Sequence, residues 1–141
     1  MSEKVSVSSA RPALDARLSA ELDAVNAART APLPAAEELT VEITDEGELV
    51  AGLSGWTWGE AAGIGMTWVR EDRRGSGLGG RLLGAFETEA RRRGARRIFV
   101  TSFTFQAPSF YERHGYVEIF RWDGVPTQGQ ADVHLRKDLS A

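Results

Sequence analysis

The stretch best equipped for chemistry is Arg73-Arg74-Gly75-Ser76-Gly77-Leu78-Gly79-Gly80, a glycine-rich turn between an apolar run and a helical one. Such a turn leaves backbone N–H groups unpaired and aimed outward at the positive end of the following helix. Glycine removes the side chains that would keep an anion from those donors. The chemistry this predicts is phosphate binding. Hydrogen bonds to charged groups contribute about 1.5–3 kcal/mol each, so a few of them anchor a pyrophosphate.

What is missing narrows the ligand. Gly75, Gly77 and Gly80 satisfy G-x-G-x-x-G, but the dinucleotide fingerprint also asks for an acidic residue closing the next strand about 20 residues on. That strand ends Thr101-Ser102-Phe103, without one. A nucleotide P-loop fails as well, because no Lys-Ser or Lys-Thr follows the glycines. The plain alternative is a turn that binds nothing, yet so many glycines weaken a helix start unless they serve a ligand. The chain has no cysteine, which excludes a disulfide framework, a thiol nucleophile and a thiolate metal site.

The elements that must position this turn follow from periodicity. Leu14, Leu18, Leu22 and Val25 predict an amphipathic helix over about 12–28, with Pro12 in its first turn and Pro32 and Pro34 in the loop beyond. Leu39, Val41 and Ile43 alternate with polar residues as a half-buried strand. Asp45-Glu46-Gly47 turns the chain into a return strand, 49–58. A third strand covers 64–70, with Gly63 and Gly65 marking a bulge or a close backbone approach. The helix over 77–93 carries Leu78, Leu82, Phe86 and Ala90 on one stripe and ends on Arg91-Arg92-Arg93 and a capping Gly94. The run 98–100 reads as a strand buried on both faces. A short helix over 107–114 and strands over 116–122 and 132–137 complete the chain; Lys4 to Ser9 adds a short first strand or a loose arm. The order β-α-β-β-β-α-β-α-β-β predicts an α/β fold with a mixed sheet.

The totals agree with one globular domain over residues 1–141, at 42% hydrophobic and 26% charged residues. A net charge of −3 and a pI near 5.4 argue against a general nucleic-acid binder. The Arg91-to-Arg97 cluster reads as a solvated helix end matched to its dipole. No apolar run approaches the roughly 20 residues of a membrane span, and residues 1–10 lack the apolar core of a signal peptide. The expectation is a cytoplasmic protein without membrane or nucleic-acid partners.

Two motifs together then resemble the GNAT superfamily of N-acetyltransferases. Arg74, Gly77 and Gly79 match its signature of Gln or Arg, two residues, Gly, one residue, and Gly or Ala, after a strand ending Trp68-Val69. Gln106-Ala107-Pro108-Ser109-Phe110-Tyr111-Glu112-Arg113-His114-Gly115-Tyr116 is similar to the family's tyrosine-bearing short helix. With Phe103-x-Phe105 before it, this segment further resembles a group of small stand-alone members. The resemblance covers about Leu14 to Lys137 and implies a mostly antiparallel central sheet with helices on both faces.

It also implies transfer of an acetyl group from acetyl-coenzyme A, as cosubstrate and without a metal, to a primary amine of a small molecule or protein. Backbone N–H groups of Gly75, Ser76, Gly77, Leu78, Gly79 and Gly80 would hold the pyrophosphate, with Arg74 beside them. The pantetheine arm would pair like an added strand along Thr67, Trp68 and Val69 where that strand parts from 98–100. An N–H near Val69 would face the oxyanion, Gln106 would touch the cofactor arm, and Tyr111 would protonate the leaving thiolate. For the base that takes the amine's proton, Glu60, Glu71, His134 and a water chain all stand open. Trp56 and Trp58, in same-face register, are the expected acceptor walls, suited to a flat or cationic amine. A homodimer through the C-terminal strands would follow family habit. The rival reading is a non-catalytic acyl-coenzyme A sensor on the same fold.

Overall fold

The computed structural model describes residues 2–30 and 33–139, so Pro32 lies outside the described residues. The chain forms two compact units, 1–35 and 36–141. The first holds α1 (Pro12–Thr30), whose Arg17 Nε donates to Glu21 Oε2 one turn on, at 2.6 Å. None of the residues of α1 is buried. Lys4 to Ser9 form no strand. That segment has two apolar residues, Val5 and Val7, both at least 90% exposed, and gains nothing from pairing.

The second unit contains β1 (Glu37–Asp45), β2 (Glu48–Trp58), β3 (Ala61–Val69), a 3-10 turn (Glu71–Arg73), α2 (Leu78–Arg92), β4 (Arg97–Phe103), α3 (Pro108–Arg113), β5 (Val117–Asp123) and β6 (Ala131–Asp138). The six strands form one sheet in the order β1-β2-β3-β4-β6-β5. Only the β3–β4 pairing is parallel, with α2 as its crossover; α3 makes a second crossover from β4 to β5, which are not neighbours because β6 lies between them. This is the mixed, mostly antiparallel α/β sheet expected from the sequence.

Alternation decides which face is covered. Leu39, Val41 and Ile43 of β1 stand in register with Gly55, Leu53 and Ala51 of β2, on the face against which α2 packs. The α2 stripe of Leu78, Leu82, Leu83, Phe86 and Ala90 is buried there, and α3 adds Tyr111 to the same core. In β4 only Ile98, Val100 and Ser102 are buried, whereas Phe99 is half-buried and Thr101 exposed. The expectation of a strand buried on both faces is therefore corrected: the apolar run was too short to separate burial on one face from burial on two.

The glycines in β3 have distinct duties. Gly65 is the extra residue at the bulge where Ser54 faces Met66 and Gly55 faces Ile64. Gly63 lies under the Trp56 indole, which would stand 2.4 Å from any Cβ at that position. Polar groups tie the far end of the core: Lys137 Nζ donates to Glu87 Oε1 at 3.0 Å and to the His114 carbonyl at 2.9 Å, while the Tyr116 hydroxyl donates to Glu87 Oε2 at 2.9 Å. Among the described residues no helix is long and apolar enough to cross a membrane.

Candidate active site

β3 and β4 pair only from Ala61↔Arg97 to Ile64↔Val100. Beyond that point they part, leaving Gly65–Val69 and Thr101–Phe103 as the walls of an open V. The parting begins where β4 leaves Val100, so 98–100 belongs to the joined section and the cleft wall starts at Thr101. A cleft of about 980 Å³ occupies the V and runs to the N-terminus of α2.

The backbone of β3 faces this cleft with free groups. Arg70 N–H donates to Val50 O at 2.8 Å, so residues 50 and 70 form a bonded pair. In an antiparallel ladder bonded and non-bonded pairs alternate, which makes Ala51↔Val69 and Leu53↔Thr67 non-bonded pairs. The N–H and C=O groups of Thr67 and Val69 therefore point away from β2, into the V. The Val69 carbonyl is taken by Arg74 Nε at 3.0 Å, which leaves the N–H as the open group.

The glycine turn closes the wide end. Its first helical bond is Arg81 N–H to Gly77 O at 3.2 Å. Among the described residues no protein acceptor takes the N–H groups of Gly75, Ser76, Gly77, Leu78, Gly79 and Gly80. Six successive donors at the positive end of a helix form an anion cradle. Gly77, the N-cap, has φ +89°, a left-handed backbone costing a side-chain-bearing residue roughly 1–2 kcal/mol, but a Cβ there would meet nothing within 4 Å. At Gly79 the reason is space, because a Cβ would stand 2.7 Å from the Phe110 ring. The Ser76 hydroxyl turns back to the Arg73 carbonyl, and Arg73 pairs with Asp45 at 2.9 Å, fixing the turn against the β1–β2 hairpin.

Tyr111 projects from α3 toward the parted section of β3. Its ring is 7% exposed and packs edge-on against Phe110 and Tyr116. Its hydroxyl donates to Thr67 Oγ1 at 3.1 Å. Burial pushes the phenol above its ordinary value, an effect only partly offset by that hydrogen bond. At neutral pH it is a protonated donor beside the cleft, and Tyr111 serves as core residue and cleft residue at once. Phe110, its neighbour, supports α3 against Gly79.

Of the other expected site residues, Trp68, Val69, Arg74, Gly75, Gly77, Leu78, Gly79, Gly80 and Gln106 line the cleft. Gln106 Oε1 is occupied in accepting the Phe103 N–H at 2.8 Å, which closes the loop into α3. Trp56 and Trp58 are not brought to the cleft: they stand on the sheet face opposite Tyr111, with Trp56 packed on Gly63. Same-face register was legible in the sequence, but which face was not. Glu60 lies at the β2–β3 turn, the opposite end of β3 from the V, facing Arg96 at 3.8 Å. Glu71 lies in the 3-10 turn and does not line the cleft. Thr67, at the start of the strand segment expected to pair with the cofactor arm, and Phe105 line the cleft too, whereas Arg113 and His114 are cleft residues that the sequence did not single out. His114 sits at the end of α3 with Nδ1 2.8 Å from the Phe110 carbonyl, leaving Nε2 beside Gly80; only the pairing of α3 with α2 reveals it.

Comparison with known proteins agrees with this geometry. The model of the acetyltransferase (GNAT) family matches residues 10–116. The blasticidin-S acetyltransferase of Streptomyces morookaense is 39% identical over 101 residues, covering 66% of this chain and 72% of that protein. An acetyltransferase of Agrobacterium fabrum is 32% identical over 93 residues, covering 66% of this chain and 67% of that protein. A crystal structure of an acetyltransferase from Bacillus cereus superposes with a TM-score of 0.81 at 27% identity, over 96% of this chain and 98% of that one. An aminoglycoside 6'-N-acetyltransferase solved with coenzyme A shares the fold, with a TM-score of 0.68 at 19% identity over 93% of each chain. The chain belongs to the GNAT family and is an acetyl-coenzyme A-dependent acyltransferase.

Proposed function

We propose that the chain is a single N-acetyltransferase domain that moves the acetyl group of acetyl-coenzyme A to a primary amine of a small molecule by direct attack. The observation that carries the reading is the alignment of three features along one cleft: free N–H groups of the glycine turn at its wide end, open strand groups along β3, and the Tyr111 hydroxyl at Thr67. The pyrophosphate belongs at the first, the pantetheine arm pairs along the second as an added strand, and the thioester reaches the third. The Val69 N–H would donate to the oxyanion, and Tyr111 would hand its proton to the departing thiolate. The family match spans both compact units, which supports one domain. A net charge of −3 favours a cationic acceptor.

The test has two parts. Acetyl-coenzyme A should raise the melting temperature, as a ligand selective for the folded state does, and NAD should not. Thiol release should then be followed against an amine panel headed by blasticidin S and aminoglycosides, the compounds for which a relative and a structural neighbour are named, with a lysine peptide as the protein arm. Binding of acetyl-coenzyme A with no amine-dependent thiol release would replace the enzyme reading with that of a sensor.

A further inference from the structure

We propose that the acceptor amine enters from the sheet face opposite α2 and α3, and that His134, held by Asp132, takes its proton there. This rests on the reading that the acceptor is an amine.

Proton acceptor and proton donor are needed on the two sides of the thioester. Tyr111 and Thr67 lie on the α2 face, and a proton acceptor on the other face serves the amine without competing with that acid. On that face β4 presents Phe99, Thr101 and Phe103, which stand in register with Arg136, His134 and Asp132 of β6. Thr101 is the first residue of β4 beyond the joined section and lines the cleft. His134 is directly opposite it, with the two backbones about 5 Å apart. The imidazole thus stands beside Thr101 on the face opposite α2 and α3, next to the cleft and not among its lining residues.

The ring is equipped for the task. His134 Nε2 lies 3.1 Å from Asp132 Oδ2, so with Nε2 donating to the carboxylate, Nδ1 carries the free lone pair. Among the described residues Nδ1 has no hydrogen-bond partner. His134 is one-third exposed and Asp132 one-fifth, so an amine has access to both. The charged groups beside the ring on this face are Asp132 and Arg136, and Arg136 pairs with Asp138 at 3.2 Å. β4 contributes no charge to this face within the register opposite 132–136. β5 contributes no charge in this register, presenting Val117 opposite Arg136, Phe120 edge-on to His134 at 5.9 Å, and Trp122 edge-on to Phe120 at 5.0 Å. Both rings are about half exposed, Phe120 at 49% and Trp122 at 56%. Two exposed aromatic faces beside a carboxylate form a subsite for an organic cation, which selects the ammonium form before it is deprotonated.

The protons balance. The ammonium gives one proton to His134, which passes it to solvent. The nitrogen then bonds to the acyl carbon, the C–S bond breaks and the thiolate takes the Tyr111 proton. The second nitrogen proton leaves the adduct and restores Tyr111. Each turnover releases one proton, one amide and free coenzyme A.

The test uses the full chain with the amine chosen by the thiol-release panel. His134→Gln should lower kcat/KM about 10²-fold at neutral pH, and the loss should shrink as pH rises and the amine deprotonates unaided. Asp132→Asn should cost about 10-fold and raise the amine KM. The melting-temperature shift with acetyl-coenzyme A should match wild type in both variants. Independently of turnover, butylamine added to the acetyl-coenzyme A complex should move the ring signals of His134. The chain has two histidines, so His134→Gln assigns them, and His114 should not respond. Wild-type kcat/KM and pH profile in His134→Gln, or a His134 signal indifferent to butylamine, would overturn the proposal. A wild type that binds acetyl-coenzyme A, shows the butylamine response and acetylates nothing would sink the amine-transfer reading and leave the subsite standing.

Discussion

Tyr111→Phe separates the chemical role of the phenol from its structural one, and the structure sets both magnitudes. The ring stays in place against Phe110 and Tyr116, so no cavity forms. What disappears is the 3.1 Å bond to Thr67 Oγ1. A neutral hydrogen bond is worth about 0.5–1.5 kcal/mol, and the Thr67 hydroxyl can rotate to another partner. The stability loss should be about 1 kcal/mol or less, a few degrees in Tm. Losing a positioned general acid costs about 10²–10⁴ in rate, and 10² alone is about 2.7 kcal/mol of barrier. A thiolate is a tolerable leaving group, so the low end is expected. The two effects thus differ enough to be resolved in one variant.

The assay is single-turnover thiol release, which isolates the chemical step, alongside thermal melts with and without acetyl-coenzyme A. The loss should fall on kcat and leave the acetyl-coenzyme A KM alone. The neutral phenol is the active form, and burial raises its pKa, so wild-type kcat should hold to about pH 10 and decline above it. The same raised value means that the native state keeps its proton longer than the unfolded chain, so this contribution to stability is lost as pH rises past the unfolded value. Thr67→Val is the control: it removes the acceptor and keeps the phenol, and should change kcat far less. Near wild-type single-turnover rates in Tyr111→Phe, or equal losses in Tyr111→Phe and Thr67→Val, would show that the thiolate is protonated elsewhere.

The remaining predictions test the cradle and the scaffold. Gly77→Glu should abolish the melting-temperature shift with acetyl-coenzyme A, whereas Gly77→Ala, which adds about 1–2 kcal/mol of backbone strain and no contact, should lower Tm and keep most of the shift. Gly79→Ala gains about 1 kcal/mol of helix propensity but forces the Phe110 ring aside, so Tm should fall by less than overpacking alone implies, and Phe110→Leu in the same chain should restore it. Glu87→Ala strands Lys137 and the Tyr116 hydroxyl and should cost about 2 kcal/mol in a denaturant melt, reduced from the fully buried case because Lys137 is one-quarter exposed; Glu87→Gln should cost less. Trp56→Ala should cost about 2 kcal/mol by uncovering Gly63 and leave acetyl-coenzyme A binding unchanged.

The parts of the site that are local in sequence were legible there. Gly75 to Gly80 announce a donor-rich helix start, because the feature consists of consecutive backbone groups. Gly63 and Gly65 announce irregularity in β3, and the structure divides them into an overlying indole and a bulge. Burial was harder to read. Ile98-Phe99-Val100 is equally apolar for a strand covered once or twice, and only the charged and polar partners Arg136, His134 and Asp132 of β6 show that one side is open. The spacing of Trp56 and Trp58 fixes a shared face but not its identity, and the structure sets both on the face opposite Tyr111, outside the cleft lining. His114 left no trace, since it matters through a contact with Gly80 more than 30 residues away, and for the same reason the bond of Thr67 to Tyr111 was hidden although Thr67 itself was legible as part of the cofactor-arm strand.

The parity that sets the tryptophans on the face opposite Tyr111 also explains how one cleft can serve two proton transfers. A β-strand sends successive side chains to opposite faces, so a ligand lying in the plane of the sheet, between parted strands, is reached from both. Thr67 and Tyr111 meet on the α2 face, where the helices keep water out and hold the phenol protonated. Thr101 and His134 meet on the other face, where no helix of the second unit stands. Moving the imidazole by one residue along β6 would put acid and base on the same side. A double substitution of Tyr111→Phe and His134→Gln tests this separation. Groups acting on different protons from different faces should lose rate close to multiplicatively, about 10⁴-fold together, whereas members of one relay would lose little more than the worse single variant.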